Sequence, residues 1–146
     1  MSLAIESATA ADLPDVVRVL DGAGLPHSDV TAPMLEHFLL ARRGGKLLGV
    51  VGLEPLGSVG LLRSLAVDAS HRGEGLGLDL TRAVERLARA RGVADLYLLT
   101  TTAERFFARL GYGVLPRAEA PAPIRGTTEY RELCAATSVC MVRHLS

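Results

Sequence analysis

Hydrophobic positions along the chain switch between two spacings. Residues 3–7 alternate as a strand does, with Leu3, Ile5 and Ser7 on one face. Leu13, Val16, Val17 and Leu20 then recur at helical spacing, after a Thr9 and Asp12 suited to a helix start and before Gly22 and Gly24, suited to a stop. Residues 25–33 mix Pro, His, Ser, Asp and Thr and predict a loop, with a short helix from about Met34. Two apolar segments, 38–42 and 46–54, flank Gly44 and Gly45 and predict a hairpin. A second turn over 55–58 returns the chain as a strand over 59–67, antiparallel to its predecessor.

The stretch 61–90, LLRSLAVDASHRGEGLGLDLTRAVERLARA, changes rhythm in its middle. An apolar run ends at Asp68, Ser70 and His71, and a glycine-punctuated loop follows. From Leu76 the apolar residues Leu80, Ala83, Val84, Leu87 and Ala88 share one helical face, while Asp79, Arg82, Glu85, Arg86 and Arg89 take the other. Gly92 suits a C-terminal cap, and 96–100 reads as a strand. Thr101 and Glu104 match a capping box for a helix that buries Phe106, Phe107 and Leu110 and stops at Gly111. A strand begins near Tyr112, a proline-rich loop spans 116–123, a short helix lies within 124–133, and 138–145 closes as a strand. The order predicts an α/β fold: a mixed central sheet with an antiparallel meander first, a parallel crossover in its middle, and helices on both faces.

Length and composition narrow the function. The 146 residues suit one domain over 1–146, large enough to build a core without disulfides or metal. Sixteen basic and sixteen acidic residues cancel, so no broad field points to nucleic acid or an anionic membrane, and attraction for a charged ligand must be local. No run reaches the length of a membrane span and the N-terminus lacks the build of a leader, so a cytoplasmic protein is expected. Cys134 and Cys140 read as reduced thiols, with no spacing that suggests a metal site.

The loop Arg72, Gly73, Glu74, Gly75, Leu76, Gly77 carries the first sign of chemistry. Glycines opening a helix let its free N–H groups approach a phosphate, the helix dipole favours the negative charge, and Arg72 adds a fork of donors. The spacing is not G-x-G-x-x-G, and Leu78 and Asp79 stand where a P-loop needs Lys and then Ser or Thr. Arg72, Gly75 and Gly77 do meet R/Q-x-x-G-x-G/A, the acetyl-CoA-binding motif of the GCN5-related N-acetyltransferases. Leu65-Ala66-Val67 before it and FFARLGY (106–112) after it resemble that family in order and spacing.

The resemblance implies that acetyl-CoA lies between the central strand and the strand near Leu96. Backbone groups of Leu65, Ala66 and Val67 would meet the pantetheine, residues Arg72 to Gly77 the pyrophosphate, and Phe107 the thiol end. An acceptor amine would attack the thioester directly in a ternary complex, with no metal. The acceptor would be a small molecule, with His27, Ser28 and Asp29 near it, and a homodimer is allowed for. Two positions depart from the family: Phe107 stands where many members carry a Tyr that protonates the departing thiolate, and Leu61 where many carry a Glu base. Either other residues and water move the protons, or the protein binds acyl-CoA as a sensor or pseudoenzyme without turnover.

Strand geometry offers a substitute base. A turn at 56–58 sets Glu54 opposite Leu61, on the face of the missing Glu. Arg63 lies two residues along that face, where a cation in an apolar strand needs a partner: Glu54, or an anionic group on the acceptor. Tyr112 and Tyr130 are the candidate acids. A narrower likeness, carried by GVVGLEPLGSVGLLRSLAV, the triple threonine 100–102, FFARLGY and IRGTTEYRELCAATSVCM, is to acetyltransferases of bacterial arsenic-resistance operons. It implies an amino-acid-like acceptor, in one version arsenic-containing, with Arg63 and Arg125 holding its anion.

Overall fold

In the computed structural model, which describes residues 3–133 and 137–145, seven strands form one sheet. They are β1 (Leu3–Ser7), β2 (Phe38–Arg43), β3 (Lys46–Leu56), β4 (Val59–Val67), β5 (Asp95–Thr100), β6 (Gly113–Leu115) and β7 (Val139–His144), in the spatial order β1-β2-β3-β4-β5-β7-β6. β1 to β4 make an antiparallel meander, β4 and β5 are parallel, and β7 enters between β5 and β6, antiparallel to both. The expected mixed sheet is present, with the closing strand inside it rather than at its edge.

The helices are α1 (Leu13–Gly22), α2 (Leu76–Ala90), α3 (Glu104–Arg109) and the single-turn α4 (Ala122–Arg125). α2 and α3 bury their apolar stripes on one face, where Leu80, Val84, Ala88 and Phe107 meet Val51, Leu53, Leu62, Leu96 and Leu98. On the other face α1 packs Val16, Val19 and Leu20 against Phe38, Leu40, Val50 and Ala66. Ile124 of α4 joins Leu61, Tyr97 and Cys140 further along that face. Helices thus cover both faces, which is why β4 reads as a nearly unbroken apolar run.

Local signals hold with two corrections. Thr9 and Asp12 form a reciprocal cap, the Thr9 N–H donating to Asp12 Oδ2 at 2.8 Å, but around a 3₁₀ turn that precedes α1. The capping box expected at Thr101 does not form: α3 starts at Glu104, and the Ala103 N–H donates to Thr100 Oγ1 at 2.9 Å instead. The segment expected as a short helix within 124–133 divides into α4 and a π-helical turn, Glu129–Leu133. Cys140 is buried, and burial pushes its thiol up from the ordinary range; Cys134 lies outside the described residues.

Candidate active site

β4 and β5 pair over only three positions, Val59 with Asp95, Gly60 with Leu96 and Leu61 with Tyr97, and then part. The gap is a cleft of about 350 Å³ lined by residues 62–65 of β4, residues 98–103, Phe107, the loop residues Gly24, Leu25 and Pro26, and Glu129 and Ser138. β4 carries a bulge at this point. Gly52 of β3 lies opposite Arg63 and Val50 opposite Ala66, so three steps on β4 match two on β3. Ser64 takes a left-handed φ of 60°, uncommon for a residue with a side chain, within this interval. The extra residue moves Leu65 and Val67 onto the α2 face with Leu62, while Ala66 joins the core under α1.

The floor of the cleft is a buried ionic cluster. The hairpin sets Glu54 opposite Leu61, the expected register, because the two-residue turn Gly57-Ser58 fixes it. Arg63, with its side chain wholly inaccessible, donates from Nη1 to Glu54 Oε2 at 2.9 Å. It also forks onto Asp29, Nη1 to Oδ2 at 2.6 Å and Nη2 to Oδ1 at 2.7 Å. Glu129 Oε1 lies 3.5 Å from Nη2, and Nε donates to Ser64 Oγ at 3.1 Å. Burial alone would lower the guanidinium's hold on its proton, but the bonds to Asp29 and Glu54 and the charge of Glu129 raise it above its ordinary value. The partner expected for Arg63 on its own sheet face is therefore present, and two further carboxylates arrive from distant segments. Glu54, Asp29, His37 and Thr128 line an adjoining pocket of about 300 Å³.

At the other end of β4 the chain passes Asp68, whose carboxylate accepts from the Ser70 N–H, and enters the glycine loop. Gly73 and Gly75 both have φ near +85°, and a Cβ built on either would meet nothing within 4 Å. Backbone angle, not crowding, demands glycine there, and the space in front of the loop is open to a ligand. Gly75 is the residue before the first turn of the fifteen-residue α2, and Leu76 is buried beneath it. Gly77 has a different reason: a Cβ would come within 3.2 Å of the Phe106 ring. Arg72 is exposed at the rim, and the Glu74 side chain turns back to Arg43 at 3.4 Å and His71 at 3.2 Å.

Three expected site residues do not reach the cleft. Tyr112 is buried under α2, edge-on to Phe107, and its hydroxyl donates to Glu85 Oε2 at 2.8 Å. Burial and that carboxylate push the phenol up, so Tyr112 holds its proton inside the core and is corrected from candidate acid to packing residue. Arg125 is exposed and donates to the Ala120 carbonyl at 2.9 Å, outside the lining of both cavities, which corrects its reading as an acceptor contact. Tyr130 donates to the Arg117 carbonyl at 3.0 Å, under the Arg117 guanidinium. Glu85, assigned by spacing to the polar face of α2, is buried, 2.9 Å from Arg82 and 2.6 Å from Arg143. Burial raises its pKa, but the bonds from Arg82, Tyr112 and Arg143 outweigh this and hold it below the ordinary carboxylate range. Sequence spacing gave no sign of Glu129 or of the bulge at Ser64.

Residues 17–112, which hold the splayed parallel pair, the bulged strand and the glycine loop, match a family model, that of the acetyltransferase (GNAT) family. The chain belongs to the GNAT family. An amino-acid acetyltransferase of Pseudomonas putida is 34% identical over 93 residues, 59% of this chain and 22% of that protein. The chain spans about a fifth to a third of the length of its curated relatives, 18% of an amino-acid acetyltransferase from Ectopseudomonas mendocina and 32% of N-acetyltransferase 8B from Mus musculus. Among solved structures, N-acetylglutamate synthase from Neisseria gonorrhoeae, complexed with coenzyme A and N-acetyl-glutamate, superposes with a TM-score of 0.86 at 23% identity, over 100% of this GNAT chain and 36% of that one. Rv2747 from Mycobacterium tuberculosis, in complex with CoA and NLQ, gives 0.81 at 21% identity over 98% and 99%. At these identities the two structures share the fold with this chain. No helix among the described residues is long and apolar enough to cross a membrane.

Proposed function

We propose that this GNAT protein transfers an acetyl group from acetyl-CoA to the amino group of a small, amino-acid-sized acceptor. The observation that carries the reading is the parting of β4 from β5 after Leu61 and Tyr97, which leaves one edge of a bulged strand facing a cleft. The glycine loop follows that strand at its C-terminal end, and the Arg63 cluster lies at its middle. Extended amide groups pair with such an edge as an added strand would. Leu65, Ala66 and Val67 are the backbone positions for the pantetheine, and the backbone of residues 72–77 with the Arg72 guanidinium those for the pyrophosphate. Phe107, lining the cleft, closes the thiol end. Acetyl-CoA supplies an activated acyl group; the protein's part is to bind, orient and move a proton.

Glu54 is the proposed base. Oε2 is committed to Arg63, the side chain is 23% exposed, and it lines the pocket from which an amine would approach, so the proton moves to it directly or through one water. Direct attack needs no acyl-enzyme. With Phe107 and Tyr112 unable to serve, the departing thiolate takes its proton from water or, through water, from the Glu54 carboxyl that received the amine's proton. The amino-acid acetyltransferase relatives support an acceptor of that size. The arsenic-resistance likeness adds phosphinic and arsenic amino acids to the acceptors to be assayed. Cytoplasmic action by one domain over 1–146 completes the reading, and sedimentation would test for a homodimer.

The test is thiol release from acetyl-CoA across amino acids, their amides and small amines, beside calorimetric binding of CoA. Turnover with any amine supports the transferase. CoA binding without turnover on the whole panel would point to the sensor reading, and no binding would remove both.

A further inference from the structure

The charge of the two cavities bears on which amine can enter, an inference that rests on the transferase reading. Among the described residues lining the cleft or the adjoining pocket, Arg63 is the only Lys or Arg, against the carboxylates of Asp29, Glu54 and Glu129. Four of its five N–H donors are committed: Asp29 takes one hydrogen bond from each Nη, Glu54 a second from Nη1, and Ser64 the one from Nε, while Glu129 Oε1 lies 3.5 Å from Nη2. An acceptor carboxylate entering beside Arg63 would find a guanidinium already held by Asp29 and Glu54, with their carboxylates around it. A positively charged amine meets the opposite situation. The adjoining pocket also holds one unmet polar atom, since His37 Nδ1 is buried with no hydrogen-bond partner. Such an atom carries a cost that a neutral ligand group would remove.

We propose that Asp29 is a specificity-determining residue: by occupying the Arg63 guanidinium it selects acceptors whose amine is not accompanied by a carboxylate. The acceptor class is then a cationic amine bearing a neutral polar group, as in an amino-acid amide, with the ammonium toward Glu54 and the polar group toward His37. Selection works by exclusion, because the like charge of Asp29 is placed where a competing acceptor would put its own anion. Amino acids with phosphinic or arsenic acid groups carry further negative charge and fall low on the same scale.

The test compares leucinamide with leucine and glutamine with glutamate, each matched in size and differing in one charge. Wild-type protein should show kcat/KM for leucinamide above that for leucine by about 100-fold or more, as like-charge exclusion costs. Calorimetry of the same ligands on the CoA-bound protein reads the preference without turnover, so a failed transferase and a failed selectivity are told apart. Asp29→Asn should keep its fold and narrow the amide-to-acid ratio by about tenfold or more, since Asn accepts through one oxygen only, frees one Arg63 donor and removes the like charge. Equal use of acid and amide by the wild type, or an unchanged ratio in Asp29→Asn, would overturn the proposal. Should Asp29→Asn not fold, the wild-type ratio decides alone. His37→Phe should weaken leucinamide more than the smaller methylamine; equal loss on both would remove His37 from the site.

Discussion

Arg63 and Asp29, 34 residues apart in sequence, meet through two parallel hydrogen bonds of 2.6 and 2.7 Å. The pair ties the loop after α1 to the middle of β4, directly below the cleft, in the fork-to-fork geometry that only Arg provides. Arg63→Met should therefore leave Asp29 and Glu54 without the guanidinium that both accept from and cost about 3–5 kcal/mol of stability, the usual size for half of a buried pair. Urea unfolding of Arg63→Met beside Arg63→Lys measures it; an equal deficit in the charge-keeping Arg63→Lys would mean lost fork geometry and packing rather than lost charge.

Glu54→Gln separates catalysis from the salt bridge. Gln keeps an oxygen for Arg63 but cannot take a proton, so turnover should fall by about 10²-fold or more while CoA affinity stays within error. A fall in stability with an unchanged rate would leave Glu54 as a partner of Arg63 only. The acid limb of the pH–rate profile, where a base is lost by protonation, is the measurement that shows which group supplies it.

The glycine loop gives the cofactor prediction. Gly75 sits at φ 84° with open space before it, so Gly75→Val costs strain and places a branched side chain where the backbone must meet a phosphate. Arg72→Ala should weaken acetyl-CoA by about 1.5–3 kcal/mol, as for one charged hydrogen bond. Calorimetric dissociation constants that match wild type in both variants would rule out the pyrophosphate at this loop.

Glu85 and Tyr112 bear on stability rather than chemistry. Glu85 lies below the ordinary carboxylate range when folded, so the unfolded chain binds the proton more readily. Its contribution is therefore complete above the ordinary carboxylate value and is lost as pH falls through the depressed one. Glu85→Gln should flatten the acid side of the stability curve. Tyr112→Phe should lower stability by about 1–3 kcal/mol, leaving a buried carboxylate with one donor fewer, and leave kcat unchanged. A large fall in kcat with the fold intact would return Tyr112 to the site.

What the sequence determined by itself was whatever depends on neighbours along the chain. Period 2 and period 3.6 gave the strands and the main helices, because burying one face requires that spacing. The turn at Gly57 and Ser58 gave the Glu54–Leu61 register and hence the contact of Glu54 with Arg63, since a short hairpin leaves pairing no freedom. Arg72, Gly75 and Gly77 carried the family because left-handed backbone and close approach restrict the residue type. What the tertiary structure alone decided depends on distance in space. Ser64 bulges because β4 must part from β5, and no residue in an apolar run marks that place. Asp29 comes to Arg63 from a loop whose composition reads as solvated surface, and Glu129 from a helical turn 66 residues beyond Arg63 along the chain. Glu85 lies inward, against the helical pattern, because Arg82, Arg143 and Tyr112 surround it with donors that only the packed sheet brings together.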